Sequence, residues 1–568
     1  MKRFILAVAV GIGTVAVPLG AAAQPADLPP LADAAPNLSR QVEAPEPAPG
    51  PALTNTPGAG PSFQLNGIEI EGATAIERGA LAQIWRDFLG TFVTIPTLNG
   101  IVAQISALYR ERGFLLSQAV LPAQTIQNGI VRIVVIEGFI DDLSVAGGAP
   151  NQQALVGRYF EPVQADRPLE ITTLERSVLL SRDAVGSALG SSVETILGPS
   201  PDTFGAANLN VQITQQPMTG YVSADNRGSR LYGDLNFGSG VRAFNMIGLN
   251  ETLDVNLAFA PQGASLRFGS VSVEMPVLAF GGGVFDGARL RVAANVFRGE
   301  PDLSEAGDTT GLLSISDQTE VSAQLLVPFI RTRSVNLFGR ASLTLRDIQT
   351  QSGLIGAVVT EDARIVISEL GAAWDFADTR GGISFVDVSL RQGLGLAGAE
   401  VSATGPAAGE LHFTSAQLTA TRLQSFAESP WSIFTEFRGQ ISKGVQPNSE
   451  RYFLGGASIG RGFAPGNTSG DTGYAVRVEL RRVLAPGTWA QAANVFGFMD
   501  YGQAYDRSIA RDGVQQESLG SVGVGAQIEI NDWLSLTPQI VRQIEGTPRD
   551  TGDNRRQTRL FFGAVGRF

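Results

Sequence analysis

From residue 220 to residue 568, apolar and polar side chains alternate in a long series of short segments. In residues 290–296 every second position is apolar, whereas Arg291 and Asn295 occupy positions between them. Residues 431–441 and 474–480 repeat this pattern. A period of two predicts β-strands that have one apolar and one polar face. We count about sixteen such segments, many of them about ten residues long, which is the length that a tilted strand needs to cross a bilayer.

Two folds have strands of this kind. A soluble β-sandwich also places apolar residues on one face of each strand and charged residues on the other. A sandwich of so many strands would leave edges that need protection, whereas a closed barrel leaves none. The sequence therefore predicts a 16-stranded antiparallel transmembrane β-barrel over residues 218–568.

The region before the barrel has a different periodicity and predicts two small α+β modules. In residues 62–138 the predicted order is strand, helix, helix, strand, strand, at 63–71, 76–89, 98–112, 114–121 and 130–137. Residues 139–217 repeat this order, at 139–145, 154–160, 174–185, 193–197 and 207–214. Two tandem units of one order and similar length constitute an internal repeat.

The N-terminal residues are typical of an exported protein. Residues 1–23 have a basic start, an apolar stretch at 4–17 and the small residues Ala21, Ala22 and Ala23, which together predict a secretory signal peptide. An uncleaved membrane anchor is the alternative, but the apolar stretch is short for a spanning helix. Residues 24–61 contain ten prolines and predict an extended linker.

Composition excludes several classes of function. The net charge of −12 argues against nucleic acid as a partner, because phosphate binding requires a basic surface. The sequence has no cysteine, and its single histidine, His412, lies in a predicted strand at 411–419. We therefore expect no metal site, no cofactor and no enzymatic activity. No phosphate-binding loop of the G-x-x-x-x-G-K-[ST] type occurs, so no ATP site is expected.

One glycine-rich stretch combines a cation with an aromatic side chain, as Gly460-Arg461-Gly462-Phe463. If the modules are periplasmic, each odd-to-even connection of the barrel faces outward, and this stretch lies in the sixth extracellular loop, at about residues 443–473. On the predicted thirteenth strand, Phe498, Asp500 and Gly502 share one parity. An aspartate is costly against lipid, so this parity should face the lumen.

A carboxylate in the lumen favours a cation, and an arginine suits it because it is always charged and can bind with two nitrogens. Arg461 and Asp500 are thus a candidate ion pair. Spacing alone leaves two other interpretations open, namely a solvated arginine in a loop and one carboxylate among several in the lumen.

These motifs resemble those of the two-partner secretion transporters, the filamentous haemagglutinin/haemolysin secretion class. That family has V-R-G-[FY] in loop six and F-x-D-x-G on strand thirteen, and the chain departs from it at Gly460, where the family has valine. Further similar stretches lie at 109–124, 223–229, 451–456 and 470–473.

The resemblance implies that both modules are POTRA domains in the periplasm of a Gram-negative bacterium and that the barrel lies in the outer-membrane lipid. It also implies that loop six folds into the barrel and that Arg461 pairs with Asp500. The implied partner is a large, β-rich exoprotein, recognised through its N-terminal secretion domain and exported without ATP. An outer-membrane insertase of the same superfamily is the alternative, although it would carry more than two modules. A diffusion porin would leave both modules unexplained.

Overall fold

The computed structural model describes residues 62–568, with gaps at 187–190, 230–231, 262–264, 278–282, 284, 301–313, 353–357, 404–408, 486, 488–489, 508–513 and 549–554. The predicted signal peptide and proline-rich linker lie outside the described residues. No helix in the described part of the chain is both long and apolar enough to span a membrane.

The first module is a three-stranded sheet with helices packed against it. Its elements are β1 (Phe63–Gln64), β2 (Gly67–Glu71), α1 (Arg78–Ala82), a 3-10 turn (Arg86–Phe88), β3 (Phe92–Val93), α2 (Ile95–Glu111), β4 (Gln118–Val120) and β5 (Ile130–Ile136). The sheet order is β2-β5-β4, with β2 parallel to β5, while β1 pairs separately with β3. The predicted helix at 76–89 is broken, because Trp85 leaves the helical conformation and packs into the core.

The carboxylate of Glu137 joins several parts of this module. It accepts hydrogen bonds from the backbone N–H groups of Thr74 and Ala75, from the Thr74 hydroxyl, and from the Tyr109 hydroxyl at 2.7 Å. Burial by itself raises the pKa of Glu137, but these donors outweigh it and hold the pKa below the ordinary value. Burial and the bond to Glu137 raise the pKa of Tyr109. This group ties α2 to the ends of β2 and β5.

The second module has the same element order. It comprises β6 (Phe139–Gly147), α3 (Pro150–Ala165), α4 (Ile171–Val185), β7 (Ser192–Pro199) and β8 (Ala206–Thr214). Its sheet order is β6-β8-β7, with β6 parallel to β8 and β7 antiparallel to it. Both sheets thus have the last strand in the centre, which leaves β2 and β4, and β6 and β7, as edge strands.

The described residues that follow the second module are mostly in β-strands. Its elements are β9 (Met218–Asp225), β10 (Asn236–Phe244), β11 (Thr252–Ala260), β12 (Ser265–Pro276), β13 (Arg289–Glu300), β14 (Ser314–Arg331), β15 (Val335–Ser352), β16 (Val358–Ala377), β17 (Gly382–Leu394), β18 (Glu400–Ala403), β19 (Thr414–Ser425), β20 (Trp431–Lys443), a 3-10 turn (Asn448–Glu450), β21 (Tyr452–Leu454), β22 (Thr468–Gly470), β23 (Thr472–Leu484), β24 (Ala492–Asp506), β25 (Gln515–Asn531), β26 (Leu534–Leu536), β27 (Gln539–Glu545), β28 (Thr558–Phe561) and β29 (Gly563–Arg567).

All of these strands except β21 and β22 form one closed antiparallel barrel, in which β29 pairs with β9. Three barrel strands are interrupted and carry two labels each. β17 and β18 both pair with β16, and β26 and β27 both pair with β25. β28 and β29 pair in turn with β27 and β26. The barrel therefore has sixteen strands, which confirms the predicted 16-stranded antiparallel β-barrel. The predicted strand at 411–419 begins only at Thr414, so His412 precedes it.

Candidate functional site: loop six inside the barrel

Loop six connects β20, the eleventh barrel strand, to β23, the twelfth. Its two limbs pair as the short hairpin β21–β22. Within the segment that joins these two strands, residues 458–463 form a compact tip. Gly455 and Gly456 have φ values of 103° and 111°, which glycine adopts readily, and the N–H of Gly456 donates to the Phe463 carbonyl at 3.2 Å. The tip is thereby folded back on the hairpin.

The thirteenth strand, β24, separates its two faces as the parity predicts. Met499 and Tyr501 are exposed on the outer face, whereas Phe498, Asp500 and Gly502 are buried on the inner face. Each of these three inward residues contacts a different part of loop six.

Asp500 receives the backbone of the tip. Its Oδ1 accepts from the Gly460 N–H at 2.9 Å, and its Oδ2 accepts from the Arg461 N–H at 3.4 Å. Two neighbouring N–H groups that point to one carboxylate form a small anion-binding concavity. Gly460 has a φ of 71°, a conformation that a β-branched side chain adopts with difficulty. This conformation explains why glycine is suitable at position 460, where the two-partner secretion motif has valine.

The Arg461 side chain pairs with a different acid. Its Nη2 donates to Glu479 Oε1 at 2.5 Å, and its guanidinium lies 4.3 Å from the centre of the Phe498 ring. Glu479 lies on the inner face of β23 and also pairs with Arg481, at 2.6 Å, and with Arg477, at 3.7 Å. The guanidinium is therefore held between a carboxylate and an aromatic face.

This arrangement corrects the direct ion pair predicted between Arg461 and Asp500. The two residues do meet, but through the Arg461 backbone, and the salt bridge goes to Glu479. The physical reason is that Asp500 is already occupied by two N–H groups of the tip, so the longer arginine side chain extends past it to the neighbouring strand.

The second half of the tip contacts two more strands. The Gly462 N–H donates to Ser521 Oγ on β25 at 3.0 Å, and Gln543 Nε2 on β27 donates to the Gly462 carbonyl at 2.6 Å. A Cβ on Gly462 would lie 2.8 Å from Gln543 Cγ, so the motif glycine permits this approach. Phe463 is 2% exposed and packs in a cluster with side chains of the hairpin and the wall: Tyr452, Leu454, Ile459, Ala475, Ala504 and Leu519.

Gly502 provides space for the hairpin. A Cβ at this position would lie 2.6 Å from Leu454 Cδ2 and 3.0 Å from Ala475 Cβ. The three motif residues of β24 therefore act separately: Phe498 faces the guanidinium, Asp500 accepts from the backbone, and Gly502 admits Leu454.

Glu479, Ser521 and Gln543 are the contact residues that sequence reasoning did not identify. Glu479 had a usable signal, because it alternates with Val478 and Leu480 and so had to face inward. Ser521 and Gln543 had none. Among the described residues no cluster of acidic and histidine side chains could hold a metal ion. The geometry is suited to holding a loop in a defined position.

Two regions of the chain match known protein families. Residues 63–138 match the family described as POTRA domain, ShlB-type, and residues 329–528 match the family described as haemolysin secretion/activation protein ShlB/FhaC/HecB. The chain is similar to the heme/hemopexin transporter protein HuxB of Haemophilus influenzae, with 23% identity over 461 residues that cover 80% of this chain and 78% of HuxB. It is also similar to the outer membrane transporter CdiB of Dickeya dadantii, with 23% identity over 439 residues that cover 74% and 72% of the two chains.

Solved structures share the fold. CdiB from Escherichia coli aligns with a TM-score of 0.69 at 18% identity, covering 91% of this chain and 94% of that chain. BamA from Haemophilus ducreyi lacking POTRA domains 1–3 aligns with a TM-score of 0.52 at 13% identity, covering 89% and 100%. At 18% and 13% identity, the likeness to these two structures establishes the fold alone.

Proposed function

We propose that the chain is an outer-membrane transporter of two-partner secretion and that it exports one large, β-rich exoprotein from the periplasm to the cell surface. Its match to the ShlB/FhaC/HecB family over residues 329–528 and its similarity to HuxB and CdiB support this proposal. The modules recognise the exoprotein, the barrel provides the route, and loop six controls the lumen. Folding of the exoprotein outside the cell makes export directional, without ATP.

The position of loop six carries this proposal. Its tip is fixed to strands twelve to fifteen by contacts with Glu479, Asp500, Ser521 and Gln543. A diffusion porin needs an open lumen, whereas this barrel holds a folded loop in it. A route for a polypeptide that is closed at rest requires such an internal element.

Recognition is proposed at the outer edge of β7 in the second module. No other described strand pairs with that edge, and an extended segment of the exoprotein could add to it as a further strand. Ile196 and Leu197 on β7 are 61% and 42% exposed, and Phe204 in the following turn is 86% exposed. Backbone pairing would tolerate varied sequence, and these apolar side chains would supply selectivity.

Binding to residues 62–217 tests the recognition step. The exoprotein's N-terminal domain should co-purify with this fragment and lose affinity when Ile196→Asp places a charge beside the edge. Leu115→Asp is the matched control, because Leu115 is similarly exposed but lies in the first module. Equal loss of binding in both variants, or in neither, would contradict recognition at β7.

Export itself is tested with purified protein in liposomes. The exoprotein, added unfolded on the side of the modules, should become protected from protease on the other side in the absence of nucleotide. Transport that depended on added ATP would refute the proposed energetics.

A further inference from the structure

Loop six has a second set of charged contacts, at the start of its course through the barrel. We call residues 446–451 the first limb. Within it, Glu450 is fully buried, and its two carboxylate oxygens bind two different arginines: Oε1 accepts from Arg346 at 2.6 Å and Oε2 from Arg391 at 2.8 Å. Arg346 lies on β15 and Arg391 on β17, the seventh and ninth barrel strands. The tip, by contrast, is held by strands twelve to fifteen.

Two hydrogen bonds from side-chain amides support the same limb. Asn448 Nδ2 donates to Glu361 Oε2 at 2.8 Å, and Gln440 Nε2 donates to the Glu450 carbonyl at 2.8 Å. The first limb is therefore fixed to the wall through both side chains and backbone, at strands seven, eight, nine and eleven and, through the salt bridge of Arg451 with Asp506, at strand thirteen.

The arginines that bind Glu450 do not depend on it for a counter-charge. Arg346 pairs with Glu320 at 2.6 Å, and Arg391 pairs with Glu369 at 2.8 Å. Direct salt bridges continue from Glu369 to Arg340 and from Arg340 to Asp387 on β17. The first wall cluster thus contains three acids and three arginines, which are Glu320, Glu369, Asp387, Arg340, Arg346 and Arg391.

The wall beneath the tip has the same balance. Salt bridges link Glu436 and Glu479 to three arginines, and Asp500 lies opposite Arg477 in the strand register. The second wall cluster again contains three acids and three arginines, which are Glu436, Glu479, Asp500, Arg438, Arg477 and Arg481. Loop six adds one negative charge to the first cluster, through Glu450, and one positive charge to the second, through Arg461.

We propose that Glu450 is a second positioning residue of loop six, and that the loop leaves its seat only when both Glu450 and Arg461 release. Since each wall cluster has equal numbers of acids and arginines without the loop, release of the loop leaves the net charge of both clusters at zero, although Asp500 then loses the two backbone N–H donors of the tip. A third charge of the loop is also paired, because Arg451, next to Glu450, forms a salt bridge with Asp506 on β24. The loop is therefore oriented by charged contacts at three points of the wall, of which Glu450 and Arg461 reach the two wall clusters. Only the interpretation of the lumen as an export route rests on the proposed function.

The absence of cysteine from the sequence allows a single reporter thiol to be introduced. A Ser458→Cys reporter at the start of the tip is labelled in intact cells with a bulky, membrane-impermeant maleimide, in the full-length protein and without exoprotein. Glu450→Gln should raise the labelling rate about tenfold, the population change expected for losing one charge-assisted hydrogen bond. Glu450→Asp, which is one methylene shorter and can keep one arginine, should raise it less.

Three further variants complete the set. Arg461→Ala should also raise labelling about tenfold or more, and the Glu450→Gln/Arg461→Ala double variant should exceed both and open a pore in planar bilayers. Asp317→Asn is the control, because it neutralises a carboxylate whose pair with Arg298, at 3.3 Å, is exposed. It should leave labelling unchanged.

Each result decides the assignment. Labelling at the parent rate in both Glu450 variants, while Arg461→Ala raises it, would overturn the second positioning role. Failure of both Glu450 variants to assemble would overturn it too, because the residue would then be required by the barrel. Since the readout needs no exoprotein, a negative result here is distinct from failure of the proposed export.

Discussion

Replacing Arg461 by alanine removes the only cation that the tip of loop six places in the lumen, among the described residues. Two favourable contacts are lost, the hydrogen bond to Glu479 at 2.5 Å and the contact with the Phe498 ring at 4.3 Å. A charge-assisted hydrogen bond contributes about 1.5–3 kcal/mol, and a desolvated cation–π contact contributes about 2 kcal/mol.

Two features reduce this sum. The Nε and Nη1 atoms of Arg461 are buried without a hydrogen-bond partner, so their removal recovers desolvation energy. Glu479 keeps Arg481 at 2.6 Å and is not orphaned. The cost therefore falls below the roughly 3–5 kcal/mol of a broken buried pair. We expect about 2–3 kcal/mol, which raises the population of the displaced loop roughly 30- to 150-fold, at about 1.4 kcal/mol per factor of ten.

The assay compares exoprotein in the medium with barrel assembly, measured as the heat-dependent shift of the folded protein on gels. Arg461→Ala should assemble normally and export poorly, and Arg461→Lys should be intermediate because it keeps the charge but loses the planar geometry. Arg482→Ala, an exposed arginine of the same strand as Glu479, is the control. Export at the wild-type rate by Arg461→Ala would show that the seated tip does not contribute to export.

Three other changes test separate contacts. Gly460→Val restores the family residue but should destabilise the seated loop by about 1–2 kcal/mol, because φ is 71° and a Cβ would lie 3.1 Å from the Gly455 backbone; tighter loop protection in hydrogen exchange would contradict this. Gly502→Val should displace Leu454 and increase protease cleavage in loop six while the barrel stays folded, whereas unchanged cleavage would show that the hairpin tolerates the added volume. Glu137→Gln should weaken the first module by about 1–3 kcal/mol, read from hydrogen exchange of α2. Because the folded pKa of Glu137 lies below its unfolded value, about 4.3, its contribution is complete above that pH and is lost as the pH falls through the lower folded pKa. The variant should lack this acid-dependent step, and its persistence would place the step elsewhere.

Local periodicity predicted much of the fold for a physical reason. Each barrel strand has one face in lipid, so Met499 and Tyr501 had to alternate with Asp500, and parity alone placed the aspartate inside. The helices at 98–112 and 174–185 were predicted close to α2 and α4, because their apolar faces pack on one sheet. The helix at 76–89 was not, because the core position of Trp85 depends on tertiary packing.

The contacts of loop six could be predicted only in part. Parity identifies which strand residues face inward, but it cannot align a non-periodic loop with the wall. Glu479 and Asp500 both face inward on adjacent strands, and the choice between them depends on the backbone path at Gly460. Glu450 carries no pattern at all in the sequence, because its role arises from arginines about 60 and 100 residues away.

Depletion of the protein from cells tests whether it exports one exoprotein. The secreted proteins and the outer-membrane barrels of depleted and parent cells are quantified by mass spectrometry at equal growth. We predict that one large β-rich protein disappears from the medium and cell surface and accumulates or is degraded in the periplasm, while other barrels keep their levels. A general loss of outer-membrane barrels would contradict the claim and indicate an assembly factor.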